Sequence, residues 1–326
     1  MATRDIAADE VILAVPSWLI IDSHRIRSMI QRRLHPKQAH LSPIQWLMAF
    51  LVLEMNRKYS NWQPYFNTLP TDFDHMPIVS LTDSECELLP MHIQDDMRTQ
   101  RYRMTADRKA LNGFVSEALL DRSFVYAWCC VNSRCVYLSK VPGDGRNVAL
   151  VPFFDLLNHS NETQTMPVYD TQSRTLIVKA AEAVSKGQEV YINYGPHDGA
   201  FLLMEYGFFQ ATPYDFVPMD EDVKHWCIEH GYLSKWKGLE KEHMHVDLVV
   251  QKECISWCLW RAALALMEQD EEAAMRMILA ICAGKLKKYD ASMVQWDGCS
   301  VYLVLLKTER HLLKSICEAE NPESLI

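Results

Sequence analysis

The chain has 326 residues, 49% hydrophobic and 23% charged, with 11 glycines and 14 prolines, which excludes a disordered, fibrous or peptide-sized scaffold and leaves room for one large unit or two medium ones. Lys plus Arg number 33 against 42 Asp plus Glu, a formal charge of −9; this is the wrong sign for gripping nucleic-acid phosphates over a broad face, so no direct nucleic-acid contact is expected and a basic protein or peptide is the natural partner. The longest apolar run, Val11 to Ile21, contains Pro16 and Ser17, falls short of about 20 residues and follows Asp9-Glu10, so neither a signal peptide nor a membrane span is expected.

In chain order, Asp5-Ile6, a polar turn at Ala8-Asp9 and the strand-forming run Val11 to Val15, stopped by Pro16, predict a short strand pair. Ser42 before Pro43 marks a helix start, because proline is tolerated at the first helical position, and the apolar run Ile44 to Met55 follows. Thr82 with Glu85 has the spacing of a capping box, and residues 91 to 120 carry a long helical stretch. From about residue 124 the texture turns to short strands: Cys135 to Leu138, a turn at Pro142 to Gly145, the almost wholly apolar Val148 to Phe154, a hairpin-like Thr175 to Val178, a turn at Lys186-Gly187, and Glu189 to Tyr194. Past Pro218 helices return. One periodic segment covers 257 to 288 and ends in Lys285, Lys287 and Lys288, which suit a helix C-terminus, and a last helix covers 299 to 319.

Ten cysteines are scattered over the chain, several of them in apolar segments (Cys129, Cys130, Cys282, Cys317), as expected of buried thiols in a reducing compartment. No Cys-x2-Cys pair exists, and Cys254-x3-Cys258 and His243-x-His245 lack matching second halves, so no structural zinc or other metal site is expected. A hydrolase built from Cys129 or Cys130 with His159 finds no support, since a nucleophilic thiol needs an activating setting and these two follow Trp128 in an apolar run.

One constellation carries chemistry. Asp155-Leu156-Leu157-Asn158-His159-Ser160 directly follows a buried strand, and Glu189-Val190-Tyr191-Ile192-Asn193-Tyr194-Gly195 lies on a later strand after a Lys-Gly turn. Polar groups gathered at a strand end are where ligands commonly bind. Either fragment alone reads equally well as a loop asparagine, a satisfied core histidine or a packed tyrosine; the pair in this order is more specific.

These segments resemble the signature segments of the SET-domain protein methyltransferases, and the chain is similar to the branch that includes Rubisco large-subunit lysine methyltransferase. The branch likeness rests on Val131 to Leu138, on Tyr194-Gly195-Pro196-His197-Asp198 leading to Leu202-Leu203-Met204-Glu205-Tyr206-Gly207-Phe208, on Ala2 to Ile6, and on Trp62-Gln63-Pro64-Tyr65 with Thr68-Leu69-Pro70. The resemblance implies an α+β architecture: a β-rich SET domain over 1–210, with a helical insert at about 22–122 and a C-terminal SET core at about 123–210, then an all-helical substrate-binding domain over 218–326.

It also implies a reaction, the transfer of a methyl group from S-adenosylmethionine to a protein lysine side chain. Tyr194 matches the catalytic tyrosine. Asn158 and His159 match the pair that binds the cofactor, Arg134 matches an arginine that helps hold it, Asp155 belongs to the cofactor-binding set and caps the following turn as well, and Tyr206 and Phe208 match the aromatic lining near the adenine and the lysine channel. The implied partner is a histone tail or another basic lysine-containing peptide, met by a monomer in the cytoplasm and nucleus. The sibling actin-histidine methyltransferases carry a polar residue where this chain has Val136, which cannot orient an imidazole nitrogen and so favours lysine as acceptor. Family members carry a Gly-x-Gly-Leu stretch just ahead of the segment matching Ala2 to Ile6; the sequence in hand starts at Met1, so the alternatives of a shortened inactive isoform or a non-catalytic SET-fold binding module stand beside the enzyme.

Overall fold

The structure is a computed structural model, and it describes residues 1–34, 40–138, 148–296, 300–319 and 322–326. The chain forms two compact units, one of Met1–Val79 with Thr99–Pro196 and one of Ser80–Arg98 with His197–Ile326. The expected turn at Pro142 to Gly145 lies outside the described residues.

In the first unit the strands are short: β1 Val11–Pro16, β2 Ile21–Asp22, β3 Val136–Tyr137, β4 Val148–Leu150, β5 Asn158–His159, β6 Pro167–Asp170, β7 Thr175–Lys179 and β8 Tyr191–Ile192. They form two three-stranded sheets, in the orders β1-β7-β6 and β2-β4-β3, and a parallel pair of β5 with β8. In β7 the alternate residues Leu176 and Val178 are buried, the period-two pattern of a half-buried strand. Val15, Ala149, Val151, Phe154, Leu176, Val178 and Ile192 close one core, and Leu157 and Tyr194 pack partly buried against it.

Ladders this short are marginal alone, and helices supply the rest of the unit's burial. The helix Pro43–Met55 buries every residue from Trp46 to Val52, the all-round apolar pattern of a core helix. Its start is the expected one: Ser42 accepts from the Gln45 amide and Gln45 reaches back to the Ser42 amide. Thr82 and Glu85 form the second expected capping box.

Several expectations differ from the structure for identifiable reasons. Ile6 bridges to Val184 and not to the Val11 strand, whose partner is β7. The helical stretch expected over 91 to 120 breaks at Gly113, whose φ of 88° suits glycine, into Met91–Leu111 and Glu117–Arg134. The second of these runs well past residue 122: Leu120, Phe124, Ala127, Trp128 and Val131 are buried at helical spacing. The strand expected over 148 to 154 stops at Leu150; Pro152 has no N–H to give a ladder, and Phe153 at φ 69° leads into a 3-10 turn, Phe154–Leu156. The strand expected over 189 to 194 pairs only at Tyr191–Ile192.

The second unit is mainly helical, but it is not all-helical. Strands β9 Val217–Pro218, β10 Val249–Gln251 and β11 Cys254–Ile255 form a small antiparallel sheet. The periodic segment at 257 to 288 is two helices, Trp257–Leu266 and Glu271–Gln295, broken where Glu268 and Gln269 adopt positive φ. The second helix continues beyond the lysines, so these do not cap a C-terminus: Lys285 and Lys288 pair with Asp222, and Lys285 also bonds the Pro218 carbonyl at 2.9 Å. Among the described residues no helix is long and apolar enough to cross a membrane, and no cluster of His, Cys, Asp and Glu is arranged to hold a metal ion.

Candidate active site

The first unit brings five of the seven expected site residues together around the parallel pair β5–β8. Asn158 lies opposite Tyr191 and His159 opposite Ile192, so the chain leaving β8 carries Tyr194 past His159. The Tyr194 backbone N–H donates to His159 Nδ1 at 3.0 Å. That bond leaves the ring proton on Nε2, which faces Asn161 Oδ1 at 3.2 Å. The two rings lie 5.0 Å apart. The Tyr194 hydroxyl donates to the Leu157 carbonyl at 2.8 Å. The tyrosine is thus held at its backbone by His159 and at its hydroxyl by the turn preceding Asn158, each bond worth about 1 kcal/mol.

Arg134 and Asp155 meet behind this turn. Arg134, at the end of helix Glu117–Arg134, donates through Nη1 to the Asp155 carbonyl at 2.5 Å. The Asp155 carboxylate accepts from the Tyr65 hydroxyl at 2.5 Å. Its Oδ1, the Arg134 Nε and the Asn161 Nδ2 are closed to solvent with no hydrogen-bond partner. Burial pushes the Asp155 carboxyl up to about 6, against the pull of Tyr65 and Arg134. Burial also raises the Tyr194 phenol, with Arg134 pulling it down and Asp155 pushing it up, so the hydroxyl is a neutral donor at physiological pH. Asn158 is exposed, and its amide donates to Glu189 Oε1 at 2.6 Å while Tyr191 donates to the other carboxylate oxygen at 3.0 Å.

Tyr206 and Phe208 lie in the second unit, with their rings 6.2 Å apart. There Tyr206 ends helix Gly199–Tyr206 and joins an aromatic group in which His197 stacks on Phe201 at 4.2 Å. Tyr65, Glu189 and the Leu157 carbonyl were not foreseen. Tyr65 stands in the Trp62-Gln63-Pro64-Tyr65 run that contributed to the resemblance, and Glu189 lies two residues before Tyr191; neither position has a local pattern that names its partner. Cys129 and Cys130 are buried thiols pushed up to about 12 by desolvation, the reverse of an activated nucleophile.

The short sheets of the first unit, with a two-residue parallel pair bearing Asn-His and a half-buried tyrosine pinned against it, are those of a SET-type fold. The SET domain family matches residues 1–195, and the chain belongs to that family. It is 31% identical over 272 residues to SET domain-containing protein 4 of Mus musculus, covering 78% of this chain and 60% of that protein. It is 28% identical over 251 residues to ribosomal lysine N-methyltransferase set11 of Schizosaccharomyces pombe, covering 72% of this chain and 62% of that protein. The chain therefore spans about three fifths of the length of these curated relatives. Among solved structures, the SET domain of LSMT bound to lysine and AdoHcy superposes with a TM-score of 0.62 over 97% of this chain and 82% of that one, at 17% identity, a likeness of fold.

Proposed function

We propose that this protein transfers a methyl group from S-adenosylmethionine to a lysine side chain of a basic protein segment, with histone tails a member of that substrate class. Bound at the site, S-adenosylmethionine would supply an electrophilic methyl group. The observation that carries the reading is the Tyr194 hydroxyl, a neutral donor fixed at 2.8 Å from the Leu157 carbonyl beside the Asn158–His159 strand. The chemistry of the donor set fits the cofactor's amino-acid end. A guanidinium nitrogen of Arg134, a carboxylate oxygen of Asp155 and an amide nitrogen of Asn161, all closed to solvent, have no partner, and their charges match those of an anionic and a cationic ligand group. Arg134, Asp155, Asn158 and His159 would hold it.

The nucleophile must be a neutral amine, and a free lysine at a pKa of about 10.4 costs about 4 kcal/mol to deprotonate near pH 7.4. The same burial and Arg134 charge that act on the Tyr194 phenol act on an amine beside it: both disfavour ammonium. Tyr194 then orients the amine, and orientation is worth about 7–11 kcal/mol in well-aligned sites. Val136, in β3 and packed against the core, offers no polar atom to an imidazole, which supports lysine over histidine. The net charge of −9 suits a basic protein partner; a monomeric state and a cytoplasmic and nuclear location belong to the same proposal. Incubation with S-adenosylmethionine and peptides from histone tails and basic ribosomal proteins, read by mass spectrometry, tests it: methylated lysine is expected, and an unmodified peptide set together with no cofactor binding by calorimetry would refute it.

A further inference from the structure

The helical insert reaches the site through one side chain that the proposed chemistry has not used. Pro64 stands at the start of the short helix Gln63–Phe66, and Tyr65 on it is only 6% exposed. Its hydroxyl crosses 90 residues of sequence to reach Asp155 Oδ2. Asp155 belongs to the 3-10 turn entered through Phe153 at φ 69°, and Arg134 holds its carbonyl. The next residue after that turn, Leu157, accepts the Tyr194 hydroxyl. Without the Tyr65 donor the carboxylate would lose its side-chain partner where its Oδ1 already lacks one. Leaving a buried charge without that donor is costly; protonating the carboxyl or rotating the turn would relieve it, and rotation would displace the Leu157 carbonyl.

The geometry points to Tyr65 as a positioning residue: through Asp155 it sets the turn whose Leu157 carbonyl holds the Tyr194 hydroxyl. This deepens the methyltransferase reading and takes its reaction from it, but the relay can be measured without turnover. The groups facing Asp155 are Tyr65 on helix Gln63–Phe66, Cys130 and Arg134 on helix Glu117–Arg134, and Tyr194 after β8. Burial holds both phenols and the thiol protonated, so the Asp155 carboxyl is the group among these acids that changes charge near neutrality.

Carbon-13 at the tyrosine Cζ, with the Tyr194 signal assigned from the spectrum of Tyr194→Phe, follows the relay through a pH titration of the full chain. The wild type should show a step in the Tyr194 signal centred near pH 6. Tyr65→Phe keeps the ring and removes the donor, so the Asp155 midpoint and the step should both move upward, and kcat should fall several-fold. Asp155→Asn should abolish the step, which keeps the test decisive if Tyr65→Phe does not fold. A step that stays put in Tyr65→Phe or survives in Asp155→Asn overturns the relay. Absence of methyl transfer by a wild type that shows the step counts against the functional reading alone.

Discussion

The two units are held together by different means. In the first, strands of two to six residues are joined by hydrogen bonds between groups far apart in sequence: Tyr65 to Asp155, Arg134 to Asp155, Asn158 to Glu189, Tyr194 to Leu157. In the second, five helices of 9 to 25 residues close over one continuous apolar cluster, with Val223, Leu259, Ile278, Leu306 and Leu313 fully buried. Its best-buried ion pair, Asp222 with Lys285, is a tie within the scaffold. The contrast bears on stability and chemistry: among the described residues, buried polar atoms without partners on Arg134, Asp155 and Asn161 lie in the first unit, around Tyr194, whereas in the helical unit His245 Nδ1 is such an atom away from any expected site residue.

Mutations can break this contrast or sharpen it. The largest effect is expected from Asp222→Ala, which strands a Lys285 ammonium only 12% exposed; losing one partner of a buried pair costs about 3–5 kcal/mol. Urea unfolding should show that loss, and the Tyr194 carbon-13 signal should stay where it is. Movement of that signal would show that the two means of support are not separate.

A pH effect on Asp155 comes next. Its folded pKa of about 6 lies above the ordinary carboxyl value of 3.8, so the folded state binds the proton more tightly. The stabilisation is complete below about pH 4 and lost as the pH rises through about 6, and it amounts to roughly 3 kcal/mol. Carboxylates held low elsewhere, such as Glu85 and Asp222, have the opposite dependence, so the quantity to follow is the difference in stability between wild type and Asp155→Asn. Wild type should lose ground to the variant from pH 4 to 7. A constant difference would mean that Asp155 titrates as an ordinary carboxylate.

The smallest effect is that of Ser42→Ala, which removes half of the capping box on helix Pro43–Met55 and should cost about 1 kcal/mol in thermal unfolding. A loss several times larger would show that the core helix depends on its cap more than on its buried face.

What could be read from sequence follows the same division. The caps at Ser42–Gln45 and Thr82–Glu85 were legible because both partners lie within four residues. Asn158, His159 and Tyr194 are legible as a motif; in the structure His159 touches Tyr194, while the Asn158 side chain turns to Glu189. Strand lengths were over-read at 148 to 154 because an apolar run gives no sign that Pro152 and the left-handed Phe153 end the ladder. The helix to Arg134 was cut short because its Val, Tyr and Trp content suits strands, and only burial at helical spacing decides between them. Tyr65 and Glu189 stayed hidden because their partners lie 90 and 31 residues away, and no local pattern encodes such a distance.

The most direct test of the central claim is the rate of methyl transfer from labelled S-adenosylmethionine to a lysine peptide by wild type and by Tyr194→Phe. The phenylalanine variant should fold, bind the cofactor as wild type does and turn over on the order of 100-fold more slowly, the usual loss for one well-placed donor. Equal rates in the two proteins would contradict the assignment of the Tyr194 hydroxyl to the reaction.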